Sequence, residues 1–327
     1  MQKIGCTSEY GAQTHRAFCS QFAQLTDKNS TTMAKFINPF TDWGFKHIFG
    51  RDISKDLLID FLNGLFAGKM RITNLNFCNT EQIPETNDDR NVVFDLFCTT
   101  DNGERFIVEM QNRSQTYFID RAIFYTSRAI SNQAPVGEWD YHLTPVITVC
   151  FMNFVAFGKE KGGSRGRKKE YDAPFRVDMI LADEKTGKRL SDKMHFSFLQ
   201  LPVFQKEEDE CENDFERWIY ILNNMETFQR MPFLAQNAVF RKLAEISDIS
   251  TLSKEEHKKY DESIKRYRDT KAAFDYAVKE GRAEERAEIA LNLFKLGVSI
   301  ANIVASTGLT EEELAQLINM NGTQPLA

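Results

Sequence analysis

The stretch from Asn91 to Gln111 constrains the fold more than any other part of the chain. It reads Asn-Val-Val-Phe-Asp-Leu-Phe-Cys, then Thr-Thr-Asp-Asn-Gly-Glu, then Arg-Phe-Ile-Val-Glu-Met-Gln. Both flanks are short and rich in Val, Ile and Phe, which suit a pleated surface. Asp101-Asn102-Gly103 between them carries turn chemistry, so the segment is expected to form one β-hairpin. With a three-residue loop in which Gly103 takes the left-handed conformation, Thr100 pairs with Glu104 and Asp95 falls opposite Glu109. The two carboxylates then share a face, with Cβ atoms roughly 4.5–5.5 Å apart, and Gln111 lies on that face because side-chain direction repeats every two residues. A two-residue Asn102-Gly103 turn would instead set Asp95 against Met110 and part the carboxylates.

Like charges that close repel unless something compensates them, and a hard divalent cation, which takes carboxylate oxygens, is the usual compensation. The alternative is that Asp95 and Glu109 are solvated on an open hairpin face, each paired with a Lys or Arg. Their setting weighs against it: Val-Val-Phe-Asp-Leu-Phe and Phe-Ile-Val-Glu-Met are sequences in which a buried strand would ordinarily carry no charge.

The chain, 327 residues with 42 % hydrophobic and 27 % charged side chains, suffices for one large α/β domain and a helical appendage. No apolar run approaches the ~20 residues that cross a bilayer, and the N-terminus lacks a signal-peptide pattern. Cys6, Cys19, Cys78, Cys98, Cys150 and Cys211 show no close paired spacing, so neither a zinc site nor a disulfide framework is expected, and the setting reads as cytoplasmic and reducing. A formal net charge of -6 gives no global attraction for nucleic acid, which leaves any DNA contact to local basic patches.

Residues 1–32 read as a flexible leader. The segment Phe36 to Gly50 begins extended at Asn38-Pro39, and Thr41 or Asp42 is placed to cap a short helix buried through Trp43, Phe45, Ile48 and Phe49. Asp42 and Lys46, four apart, meet on its surface, either as a local ion pair or as part of a site. Ser54 opens a second helix with an apolar stripe of Leu57, Leu58, Phe61, Leu62 and Leu65. Arg71–Phe77 reads as a strand or its approach, and Glu81–Arg90 as a polar loop, more simply solvated, from which Glu81 and Asp88 could also reach a metal. A helix from about Ser114 to Asn132 follows the hairpin and sets Arg121, Tyr125 and Arg128 along one stripe. There they either hold phosphate oxygens or bond to neighbouring acids. Pro145–Phe154 reads as a central strand, and the glycine-rich Gly158–Glu170 as a basic loop that tracks a nucleic-acid backbone or is simply solvated. Further strands are expected over Phe175–Ala182 and His195–Pro202. Helices follow from Asp214, a long charged segment spans Lys254–Gly281, and three helices with a helix-turn-helix outline close the chain. Their charges are mainly acidic, which suits protein contact or core packing as well as DNA reading. The expected domains are residues 33–235 as an α/β domain, 236–280 as a helical linker and 281–327 as a small helical tail.

Asp95, Glu109 and Gln111 in this setting, with the opening Asp42-Trp-Gly-Phe-Lys46, resemble the PD-(D/E)XK nuclease superfamily in its transposase-like branch of recombination-promoting nucleases. The resemblance covers roughly residues 36–235, and the tail is similar to the helical end such proteins often carry. It implies a restriction-endonuclease-like core, a mixed sheet flanked by helices. It also implies a Mg2+-dependent DNA endonuclease, with Mn2+ as substitute, that promotes DNA recombination or transposition. Asp95 and Glu109 would hold the metal, Gln111, Asp42 and Lys46 would complete the catalytic group, and Arg121, Tyr125 and Arg128 would bind substrate. The expected partner is DNA and not a membrane, with a homo-oligomer left open. This chain departs from the family in placing Gln111 where the motif has a lysine: an amide donates hydrogen bonds without charge, and Lys46, Arg121 or Arg128 would have to supply it. The alternative is a weak or inactive nuclease-fold module that binds DNA or a protein. A sugar or nucleotide hydrolase, using the two carboxylates as acid and base, lacks an obvious aromatic sugar platform.

Overall fold

The computed structural model describes residues 34–82, 92–135, 137–161 and 170–321. The leader, Asp88 and most of the Glu81–Arg90 loop, and residues 162–169 of the basic loop lie outside the described residues.

The hairpin forms with the three-residue loop. Strand β4 (Leu96–Thr100) pairs antiparallel with β5 (Arg105–Gln111), Leu96 against Val108 and Thr99 against Arg105. Thr100 N–H donates to Glu104 O at 2.9 Å, and Gly103 takes φ +89°, a conformation that costs glycine nothing. The first flank is not one strand, however. Val92–Val93 (β3) pairs with Glu81–Gln82 (β2) in a separate ribbon, and the chain bends at Asp95 before β4 begins. The edge strand Leu75–Phe77 (β1) pairs antiparallel with β4.

Strand β6 (Val146–Met152), buried throughout, runs parallel to β5 on one side and to β10 (Arg189–Gln200) on the other. A parallel pair needs a crossover, and helix α3 (Phe118–Ser131) supplies it between β5 and β6. Lys159–Lys161 (β7) and Glu170–Asp172 (β8) form a second ribbon, and β9 (Arg176–Ala182) closes the six-stranded sheet in the order β1-β4-β5-β6-β10-β9. Strand β10 starts six residues earlier than its apolar run because its first half is a polar extension, joined to the rest through two register shifts against β9. The result is a mixed central sheet flanked by helices, a restriction-endonuclease-like core.

Each face of the sheet has its own cover. Alternate residues of the central strands, Phe106, Val108 and Met110 of β5 and Ile147, Val149 and Phe151 of β6, face the main core. It is closed by α1 (Asp42–Phe49), α2 (Lys55–Leu65), α4 (Asp214–Asn224) and α5 (Ala238–Ser247). Helix α1 begins where Thr41 Oγ1 accepts the Gly44 N–H, so Thr41 is the cap and Asp42 the first helical residue. An aromatic cluster joins these layers: the Phe151 ring centroid lies 4.9 Å from Phe61 and 5.5 Å from Phe45, and Phe49 lies 5.5 Å from Trp218. Helix α3 covers the opposite face, where Thr126 and Thr148 share a buried hydroxyl contact of 2.6 Å.

Helix α6 (Lys254–Lys295) starts in a capping box between Ser253 and Glu256 and passes through Gly281 without a break. Its first turns pack on the core, where the Tyr260 hydroxyl accepts the Asn38 N–H at 3.0 Å and Ser263 Oγ accepts the Trp43 N–H at 3.2 Å. Its end packs with α7 (Ile300–Thr307) and α8 (Glu311–Asn321) around Ala290, Ile303 and Leu314. Among the described residues no helix is long and apolar enough to cross a membrane.

Phe151 touches three other rings from the middle strand, so Phe151→Ala is expected to destabilise the protein by about 3–5 kcal/mol, lost contacts plus an unfilled cavity. Denaturant unfolding of the variant measures this. A loss below about 1 kcal/mol would mean that the helices close over the sheet without that cluster.

Candidate active site

The hairpin opens where its two acids sit. Ladder pairing stops at Leu96 and Val108, and the next main-chain donors are taken by side chains: Asp95 N–H donates to Glu109 Oε1 at 3.2 Å, and Met110 N–H donates to Asp95 Oδ2 at 2.8 Å. Each carboxylate is thus tied to the backbone of the other's segment. Gln111 completes the group, its Nε2 donating to Glu109 Oε2 at 3.2 Å.

Position in the sheet explains the electrostatics. Glu109 faces α3 between two apolar clusters, one around Ile107 and Ala129 and the other around Cys150, its neighbour on β6. Only 6 % of it is exposed. Burial pushes its proton affinity up to about 8, the nearby Asp95 charge adds to the rise, and the Asp95 N–H, Arg121 and Gln111 partly oppose it. Asp95 is raised in the same direction, again first by burial, against the pull of the Met110 N–H, Lys46 and Arg121. Among the described residues neither carboxylate has an ion-pair partner. The solvated, salt-bridged alternative therefore does not describe the acids at this site.

The other expected residues group unevenly. Asp42 and Lys46 are joined by an ion pair of 2.7 Å on the exposed side of α1, and both act on the Asp95 charge. A small cavity of about 70 Å³ brings Asp42, Asp95, Met110 and Asn112 together. Arg121 acts on both acids and leans over the Phe118 and Tyr125 rings, at 6.0 and 5.9 Å. One of its nitrogens, Nη1, donates to Gln115 Oε1 at 2.8 Å. The other, Nη2, is buried with no hydrogen-bond partner among the described residues. Tyr125 packs edge-on against Phe94, with ring centroids 5.6 Å apart. Arg128 lies two turns further along α3 and is not among the main influences on either acid. Glu81 belongs to the β2–β3 ribbon.

Sequence reasoning missed Asn112 and Arg113, which follow Gln111 directly. Asn112 Nδ2 donates to Phe40 O at 2.7 Å, tying the end of β5 to the start of α1. Nothing local marks such a pairing, since its two ends lie 72 positions apart. A second polar cluster, Asp178, His195 and Ser197, contains the residue types of a hydrolytic triad. There Ser197 Oγ donates to Asp178 Oδ1 at 2.7 Å rather than to the histidine, and Ser197 is fully enclosed, so it is no nucleophile.

Whether the acids suit a metal rests on their donor chemistry. Among the described residues no three His, Cys, Asp or Glu side chains converge as a complete ligand set. The site instead offers two hard carboxylates and no imidazole, and the neighbouring Cys150 thiol is held protonated by its burial. That fits Mg2+ or Mn2+ better than zinc, because Mg2+ keeps several waters and needs only one or two protein carboxylates plus substrate phosphate.

A mixed sheet whose central hairpin opens on two acids, Glu109 buried and Asp95 half-buried, belongs to the architecture of restriction-endonuclease-like proteins. The chain is a member of the PD-(D/E)XK nuclease superfamily: residues 39–277 match the family model described as PD-(D/E)XK nuclease family transposase. Residues 283–319 match the C-terminal helix-turn-helix domain of the Rpn/YhgA-like nuclease family. Neither curated proteins nor solved structures yielded a match.

The raised proton affinity of Glu109 predicts a pH effect of defined sign. Unfolded, the group releases its proton near its ordinary 4.5; folded, near 8. Between these values the native state binds more protons, so stability falls as pH rises from about 5 to about 8 and then levels. Thermal unfolding in a metal chelator should show this slope in the wild type and a flatter one in Glu109→Gln. A wild-type profile that is flat or rises would contradict a buried, protonated Glu109.

Proposed function

We propose that the protein is a divalent-cation-dependent DNA endonuclease that hydrolyses phosphodiester bonds in DNA recombination or transposition. One observation carries this reading: the exchange in which Asp95 and Glu109 each accept an N–H from the other's segment. It brings two carboxylates together, Glu109 buried and Asp95 half-buried, with no ion-pair partner for either among the described residues. Mg2+, or Mn2+ in its place, would be held by Asp95 and Glu109. Held there, such an ion would offset the charge of the pair and supply Lewis-acid activation of water and of a phosphoryl oxygen.

The chain's own groups would do the rest. Gln111 holds Glu109 Oε2 and so keeps that carboxylate turned, but brings no charge. Lys46 already serves Asp42, which limits it to the edge of the site. Arg121 is the better source of positive charge: it acts on both acids and has an Nη2 unbonded among the described residues, so its fork can donate to a phosphate oxygen. Tyr125 supports the guanidinium from below. Cytoplasmic action is part of this reading.

The amide at position 111 favours a second reading, a nuclease-fold module that binds DNA or a protein and no longer cuts. Plasmid nicking with Mg2+ separates the two. The wild type is expected to nick, chelation to stop it, and Asp95→Asn to lose at least about a hundredfold in rate, the scale for removing one charge-stabilising group. Equal cleavage by Asp95→Asn would remove that residue from the mechanism, and DNA binding without nicking by the wild type would favour the second reading.

A further inference from the structure

Beside the acids, a cleft of about 480 Å³ separates the start of α1 and the end of β5 from the flank of α6. It is continuous with the site, because Phe40, Asp42 and Asn112 line both this cleft and the small cavity that Asp95 reaches. The wall that α6 contributes carries Arg266, Tyr267, Lys271 and Phe274, and the opposite wall carries Arg113.

Three features give this cleft a chemistry. The first is charge: Arg113, Arg266 and Lys271 face two carboxylates, Asp42 and Asp275, and Asp42 is already paired with Lys46. The second is an unmet donor, since Arg113 Nη2 is buried with no hydrogen-bond partner among the described residues. The third is a flat apolar platform. Phe274 is 42 % exposed in the cleft and lies 5.9 Å from the Arg113 guanidinium, with Tyr267 two turns before it on α6. A buried guanidinium nitrogen without an acceptor, beside an exposed ring, matches the two halves of a nucleotide: an anionic phosphate and a base that stacks. The volume suits one such unit, as small-molecule clefts run about 300–1,000 Å³, and is far too small for a duplex.

We propose that this cleft is a subsite for one unpaired nucleotide of the DNA strand next to the bond that is cut. Its phosphate lies on Arg113, Arg266 and Lys271, and its base on Phe274. Helix α6 is then part of the substrate-binding surface, and the protein favours single strands, flaps and frayed ends over continuous duplex. The proposal deepens the endonuclease reading, but the binding it describes does not require cleavage.

Full-length protein is titrated against fluorescein-labelled oligothymidylate and against a paired duplex, in a chelator, with anisotropy as readout. Arg113→Gln and Phe274→Ala are each expected to weaken single-strand binding roughly tenfold, with a much smaller effect on duplex. Lys271→Gln is expected to reduce the salt dependence of binding by about 0.7 in the log–log slope, one phosphate's share for a single strand. Phe274 and Lys271 are exposed, so their variants should unfold at the wild-type temperature and report on binding alone. Single-strand affinities within twofold of wild type, equal losses on both ligands, or no single-strand binding by the wild type would each overturn the proposal. Asp95→Asn keeps the two readings apart. If it stops cleavage while the cleft variants bind normally, the subsite fails and the endonuclease stands. If the wild type never cuts but the cleft variants lose single-strand binding, the reverse holds.

Discussion

Two main-chain N–H groups at the open end of the β4–β5 hairpin hold the site together. Inside the ladder they would meet carbonyls; here they meet the carboxylates of Asp95 and Glu109. A buried acid without donors is costly, and a buried N–H without an acceptor nearly as much, so each requirement answers the other. The satisfaction is incomplete, because both acids hold their protons more tightly than in water. In the endonuclease reading proposed above, a cation held by the two acids would offset that cost.

The rest of the fold fixes this point in space. Strand β6 and its Phe151 lock the sheet to α1 and α2, while α3 closes the other face over Glu109 and carries Arg121 towards the acids. Helix α1 sits tightly against the chain before it: a Cβ on Gly44 would lie 2.1 Å from Asn38 O, so only glycine allows that approach. Asn38 and Trp43 in turn are bound by Tyr260 and Ser263 of α6. The long helix therefore shares in positioning Asp42 and Lys46, far from them in sequence.

The C-terminal helix-turn-helix has a different electrostatic character. Helices α7 and α8 contain no Lys or Arg, and the first turn of α8 is Glu311-Glu312-Glu313. Affinity for duplex DNA depends on neutralising phosphates, and these two helices carry nothing to do it with. Under the proposed function and subsite, Arg121, Arg113, Arg266 and Lys271, all outside this tail, are the cations among the described residues that would meet a phosphate.

Much of this was legible in the chain itself. Asp101-Asn102-Gly103 marked a hairpin and left two loop lengths open; with the three-residue loop that the structure adopts, strand periodicity fixes the register and brings Asp95 and Glu109 together. The apolar run at β6 marked the central strand for a similar reason, and the spacing of Asp42 and Lys46 their ion pair. Sequence did not show that the first flank breaks at Asp95, nor that the acids bind main chain rather than simply facing each other, since both depend on how the opened ladder is satisfied. Nor did it show Asn112 against Phe40, Arg113 over Phe274, or α6 as a wall of the cleft. Those contacts join segments up to more than two hundred residues apart, and no local pattern encodes them; only packing around the common aromatic core decides which distant side chains become neighbours.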